Sequence, residues 1–209
     1  MFVIVHNQSV ILGPMPWRKL FFENIIMEDC EISVTLPQKN DSVIVVNEDI
    51  VILPARYEET EYNTNTEQLN GPYWTFTDTE AVGAFTVMPK NIDIIRSEAA
   101  AKVTEKRWEK EVGGTKVNIK GTEYSVDTSR EGRNIYIQAY QLGAVTNWKF
   151  PEGWIDLSVE DLGTIVMTIA NHVQASFAEE KTLLDTIATA TVQELDTMIN
   201  SYKQIPNRV

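Results

Sequence analysis

The chain has one cysteine and two histidines in 209 residues, and its 18 Lys and Arg stand against 30 Asp and Glu. A lone cysteine, Cys30, excludes an intrachain disulfide and so a disulfide-stapled secreted scaffold. It reads as a small half-buried residue. A net charge of −12 argues against nucleic acid, because a phosphate backbone is held by clustered cations. The same charge argues against an anionic membrane surface, and fits a free protein or one docked on a basic partner. No run of about 18 apolar residues occurs, so no membrane-spanning helix is expected. The apolar opening MFVIVHNQSVILG lacks a basic leader and a small-residue cleavage site, and reads as a strand. There is no internal repeat and no low-complexity tract.

Local signatures of catalysis are absent as well. The chain has no GxSxG, no phosphate-cradling Gly-rich loop, no HExxH or HxxxH and no CxxC. His172 has no carboxylate four residues away on either side, so His6 and His172 read as capping or packing residues. Two acidic clusters remain. Glu58, Glu59 and Glu61 lack the loop signature of a calcium site. Asp156, Glu160 and Asp161 surround a predicted helix start, where negative charge is favoured. Catalysis by paired carboxylates needs them facing each other across a cleft, which spacing alone does not supply. The expectation is a protein that is not an enzyme, with no catalytic, cofactor or metal residues.

What is present is a folded, two-part α+β pattern. Hydrophobic residues make up 43% and charged residues 23%. Residues 1–95 read as a small β-rich domain. Phe2–Val5 and Val10–Leu12 are short apolar runs, stopped by Gly13-Pro14-Met15-Pro16. Trp17, Leu20, Phe21 and Ile25 follow at helical spacing and predict a helix over 16–28. Ile32–Leu36 alternates. Val43–Val46 and Ile50–Leu53 form a candidate hairpin closed by Pro54. Residues 56–72 read as a loop, and Tyr73–Thr77 with Ala84–Met88 as a strand pair.

Composition then shifts. SEAAAKVTEKRWEKE is rich in helix formers but carries only a thin apolar stripe of Ile95, Ala99 and Val103. Such a stripe predicts a connector helix over 96–112, or one strand of a coiled coil, ended by Gly113-Gly114. A mainly α-helical C-terminal domain, 113–209, opens with a hairpin. With Gly121-Thr122 as its loop, Ile119 pairs with Tyr124 and Val117 with Val126, all on one face. Residues 134–143 follow helical spacing. Ser158 with Asp161 resembles a capping box, and an apolar stripe then runs from Val159 to about residue 189, as one helix or two with a break near Ser176. Thr191 with Glu194 caps a last helix.

Five tryptophans are a high share for this length. Trp148 and Trp154 flank Phe150-Pro151-Glu152-Gly153, which suits a type I turn with Pro second and Gly fourth. Packing, within the chain or between subunits, is the preferred reading for both over stacking on a ligand. Trp17, Trp108, Trp148, Trp154, Phe150 and Tyr140 are the candidate interface residues.

Three stretches in order, VNIKGTEYSVDTSR, NWKFPEGWIDLSVEDLGTI and IANHVQASFAEEKTLLDTIATATVQELDTM, carry a resemblance. They resemble an uncharacterised C-terminal domain of tail proteins of tailed bacteriophages, over about residues 97–205. His172, Val173, Gln174, Phe177, Thr191, Glu194 and Leu195 match its helical positions, and Asp127 and Ser129 its turn. The resemblance implies a structural component of a phage tail, at the baseplate or a fibre attachment. A tail-fibre assembly chaperone that leaves the particle is the alternative, and a receptor- or glycan-binding module a third reading. It further implies location in the virion after synthesis in the host cytoplasm, other tail proteins as partners, and a homo-oligomer. It carries over no catalytic residue.

Overall fold

The computed structural model describes residues 1–16, 25–27, 30–32, 44–45, 50–143 and 146–203. The chain is α+β, and it divides into two compact units, Met1–Lys90 and Asn91–Val209.

The first unit is built on a mixed sheet. Its strands are β1 (Phe2–His6), β2 (Ser9–Met15), β5 (Ile44–Val45), β6 (Ile50–Tyr57), β7 (Glu67–Phe76) and β8 (Ala81–Pro89), while β3 (Ile25–Met27) and β4 (Cys30–Ile32) pair separately. The spatial order is β2-β1-β6-β8-β7, with β5 also on β6. β1 lies between two antiparallel neighbours, and Phe2 through Val5 are all buried. An uninterrupted apolar run is what a strand covered on both faces requires. Val3, Val5, Leu53 and Ala81 form one core cluster, flanked by Trp74 and Phe76.

Several expectations change here. β2 runs through Gly13-Pro14 to Met15 instead of stopping there. Residues 25–27, assigned to the tail of a helix, are strand β3, and the rest of that segment beyond Pro16, with Trp17, lies outside the described residues. The expected loop 56–72 contains the first half of β7. Its Gly71-Pro72 is absorbed by a bulge between Asn70 and Tyr73. A proline cannot donate to a ladder, and an extra residue lets the strand pass it. Ile44↔Ile52 and Val45↔Val51 pair antiparallel, as the hairpin pattern predicts.

The second unit has four helices among its described residues: α1 (Ile92–Val112), α2 (Arg130–Leu142), α3 (Val159–Thr189) and α4 (Val192–Lys203). Two hairpins join them, β9 (Thr115–Ile119) with β10 (Thr122–Val126), and β11 (Thr146–Phe150) with β12 (Gly153–Leu157). α3 is a single helix of 31 residues, with no break at Ser176. Both halves of its capping box form: the Ser158 hydroxyl accepts from the Asp161 N–H, and the Asp161 carboxylate accepts from the Ser158 N–H. Thr191 and Glu194 cap α4 in the same way.

α3 is shared by two cores. Its first half, with Leu162, Ile165 and Ile169, packs with Val117, Ile119, Val126, Tyr136, Phe150 and Leu157. Its second half packs Ile187 with Ile95, Ala99 and Val103 of α1 and with Leu195 and Ile199 of α4. The thin-striped helix is therefore not a connector. It starts at residue 92 and is an integral part of the second unit, so the division into 1–95, 96–112 and 113–209 becomes two units meeting at 90/91.

The first hairpin also differs in register. Its loop is Lys120-Gly121, both at positive φ (54° and 85°), as a type I′ turn requires. Val117 pairs with Tyr124 and Ile119 with Thr122. The shift is two residues, so every side chain keeps its face, and Val117, Ile119 and Val126 are buried as the pattern demands.

Candidate interaction surface

The second hairpin separates the two tryptophans. Pro151-Glu152 forms its two-residue turn, so Trp148 lies opposite Ile155, and Lys149 opposite Trp154. Side chains alternate between faces along a strand, which puts Trp148 and Trp154 on opposite sides of the ribbon. Trp148 faces the core and stacks on Tyr136 at 5.1 Å between centroids. Phe150 is 3% exposed and lies 5.0 Å from the Tyr124 ring. Trp154 is 70% exposed, with the Lys149 ammonium 5.8 Å from its ring. Of the six candidate interface residues, Phe150 is thus a core residue. Trp154, expected to pack within the chain or between subunits, does not pack within the chain. Trp108 projects from α1, 57% exposed, and Tyr140 stands on α2.

The sharpest apolar exposure lies along α2 and α3. The Tyr140 ring covers Gly163, where a Cβ would sit 3.2 Å from it. Beside it a shallow groove of about 520 Å³ is lined by Val159, Glu160, Gly163, Thr164, Met167, Thr168 and Asn171. Met167 is 61% exposed, and Leu142 at the end of α2 is 81% exposed. A smaller groove of about 240 Å³ is lined by Ile137, Val166, Ile169, Ala170 and Val173. Residues 164–178 of α3 contain no Asp, Glu, Lys or Arg. Tyr140 is among the expected interface residues, whereas Val159 belongs to the expected core stripe of the helix and Met167 is not singled out.

Between the two cores lies a polar seam. Glu111, nearly buried at the end of α1, accepts from Arg133 of α2 at 2.9 Å and from Arg107, one turn earlier on its own helix. Arg107 Nε lies 3.3 Å from Glu180 of α3 without hydrogen-bond alignment, and its guanidinium covers the Phe177 ring at 4.7 Å. Burial pushes the Glu111 carboxyl up, but hydrogen bonds and charge from Arg133 and Arg107 outweigh this and hold it below its ordinary value. Two arginines and two glutamates balance, as a buried cluster must. His172 Nε2 lies 2.8 Å from the Lys110 carbonyl at the end of α1. A carbonyl only accepts, so that nitrogen carries the proton and the imidazole caps the helix.

The acidic residues near the hairpin are bound into structure too. Glu152 accepts from the Ser125 N–H and hydroxyl and pairs with Lys116. Those contacts hold its carboxyl down to about 2. Lys120 spans from the β9–β10 turn to the Asp156 carbonyl (2.9 Å) and the Asp161 carboxylate (3.2 Å). The 58–61 cluster follows β6, and no group of three or more metal-ligating side chains occurs among the described residues.

These features define a two-unit α+β protein whose second unit is a four-helix, two-hairpin domain with an exposed apolar face. Residues 94–199, half of the chain, match the model of a family described as a domain of unknown function, DUF4376, and the chain belongs to that family. The matched span begins in α1 and ends in α4, so it coincides with the second unit. No curated protein and no solved structure matches the chain.

Proposed function

We propose that the protein is a structural component of a bacteriophage tail, at the baseplate or a fibre attachment, acting through protein–protein contacts. The observation that carries this reading is the α2–α3 face, where Tyr140, Val159, Met167 and Leu142 are exposed beside an uncharged stretch of helix. On a chain with net charge −12, such a face suits a protein partner buried against it. The tail assignment itself rests on the resemblance carried by residues 97–205, and the virion is the proposed location.

Mass spectrometry of purified particles tests it. The protein is expected in stoichiometric amount with tail proteins. Abundance in infected-cell lysate with absence from particles would overturn it in favour of an assembly chaperone. In particles, Met167→Glu with Tyr140→Asp is expected to abolish incorporation while leaving folding intact.

A further inference from the structure

α3 packs on α1 and on α2, and a further face of it carries Thr164, Met167, Asn171, Ala175 and Ala178, all exposed. Their spacing is three, four, four and three residues, the same read from either end. Steps of three and four are the spacing of a seam between two helices. Met167 is 61% exposed, and the groove of about 520 Å³ beside it includes Thr164, Met167, Thr168 and Asn171 in its lining. Four residues at that spacing enclose the hole that receives a side chain from a facing helix.

The hydroxyl groups on this face can be covered at little cost. Thr164 donates to the Glu160 carbonyl at 3.0 Å, Thr168 to the Thr164 carbonyl at 2.8 Å, and Thr182 to the Ala178 carbonyl at 3.0 Å. Each donor is satisfied by its own helix, so burying it leaves no hydrogen bond unmade. Asn171 stands at the midpoint of the charge-free stretch 164–178. Its carboxamide donates and accepts, so it can pair with another of its kind.

We propose that two copies of the chain pair through this face, α3 against α3, antiparallel about a two-fold axis at Asn171. Each residue then faces the one equally far beyond Asn171 in the other copy. Met167 meets Ala175 and Thr164 meets Ala178, a large side chain against a small one each time, so the face is complementary to itself. The two Asn171 carboxamides hydrogen-bond across the axis, a polar pair of the kind that fixes register between helices. Charge selects a second copy as the occupant. Copies with net charge −12 repel each other over most of their surface, but no Asp, Glu, Lys or Arg lies between Thr164 and Ala178. In this register Glu160 faces Thr182 and Glu179 faces Gly163, so no acidic residue stands opposite another. A basic partner, drawn by the rest of the surface, finds no carboxylate in this stretch. The inference rests on the reading of the α2–α3 face as a protein-docking surface, and names the partner for the α3 part of it.

Sedimentation equilibrium on the full chain reads the oligomeric state. The contact spans about four helical turns, so a weak, reversible dimer is expected. Asn171→Asp sets two like charges at the axis and is expected to raise the dimer dissociation constant about tenfold or more. Gln193→Glu makes the same charge change at an exposed position of α4 and is expected to leave it unchanged, with circular dichroism of both variants matching the parent. Disulfide trapping reads the register. In a Cys30→Ser background, Asn171→Cys is expected to cross-link with itself under mild oxidation, while Thr164→Cys and Ala178→Cys cross-link with each other when mixed and not with themselves. A chain that stays monomeric at all concentrations, a dimer indifferent to Asn171→Asp, or Thr164→Cys cross-linking with itself overturns the proposal. Particle incorporation separates it from the docking reading. A monomeric chain that still loses incorporation through Met167→Glu with Tyr140→Asp overturns self-pairing and gives the face to another chain. A dimer with this register that is absent from particles supports self-pairing and overturns the tail reading.

Discussion

Arg133 on α2 donates to Glu111 on α1 across 2.9 Å, and this pair closes the seam between the two cores of the second unit. Glu111 is 7% exposed and is the carboxylate that both Arg107 and Arg133 reach. Removing it leaves two guanidinium groups short of a partner in a partly buried place. Glu111→Ala is therefore expected to cost about 3 kcal/mol, the low end for breaking a buried pair because the arginines keep some solvent. Urea unfolding of the isolated protein measures it. A loss below about 0.5 kcal/mol would show that the seam does not hold the cores together.

Glu152 gives a pH prediction with a definite sign. Its folded value, about 2, is depressed from 4.5 by Ser125 and Lys116. A depressed carboxyl stabilises the fold fully above the unfolded value and loses that contribution as pH falls through the folded one. Acid-unfolding curves of the parent and Glu152→Gln should then differ most above pH 4.5 and converge near about 2. Parallel curves throughout would mean the carboxylate is not what joins the two hairpins.

The two tryptophans should behave oppositely. Trp154→Ala removes a 70% exposed ring and is expected to change stability by less than about 0.5 kcal/mol. Trp148→Ala removes a ring stacked on Tyr136 and should cost about 3 kcal/mol. Urea titrations of both variants settle the contrast, and equal losses would contradict the hairpin register.

Gly132 in the first turn of α2 reverses a general rule. Gly to Ala inside a helix ordinarily stabilises by roughly 0.5–1 kcal/mol. Here a Cβ would lie 2.6 Å from the Asp127 carboxyl, which accepts from the N–H and hydroxyl of the N-cap Ser129. Gly132→Ala is expected to destabilise by about 1–2 kcal/mol as that carboxylate is displaced. A higher melting temperature for the variant would refute this.

Much of the second unit was legible because its signals are local. Ser158 with Asp161 and Thr191 with Glu194 announce helix starts within four residues, and apolar spacing marks the faces of α3 and α4. The strands β11 and β12 were legible in principle, since Trp148 and Phe150 alternate with polar neighbours, as do Ile155 and Leu157. Reading Pro-Glu-Gly only as a turn into the helix hid them, and with them the separation of the two tryptophans. The first unit was harder. Proline halted two strand readings, at Pro14 and Pro72, because a sequence does not say that a strand lies at an edge, where proline costs nothing to the ladder.

The sequence by itself determined the α+β class, the buried strand β1, the capped helices and the face each side chain of the first hairpin takes. Those depend on periodicity and on contacts within a few residues. Tertiary structure alone decided that α1 belongs to the second unit. The three residues of its thin stripe, Ile95, Ala99 and Val103, are buried in one cluster with Ile187 of α3 and Leu195 and Ile199 of α4. Tertiary structure likewise decided the register of β9 and β10, where the Lys120-Gly121 turn is accompanied by the reach of Lys120 to Asp161. Each depends on which distant segment arrives at a surface, and no local pattern encodes that arrival.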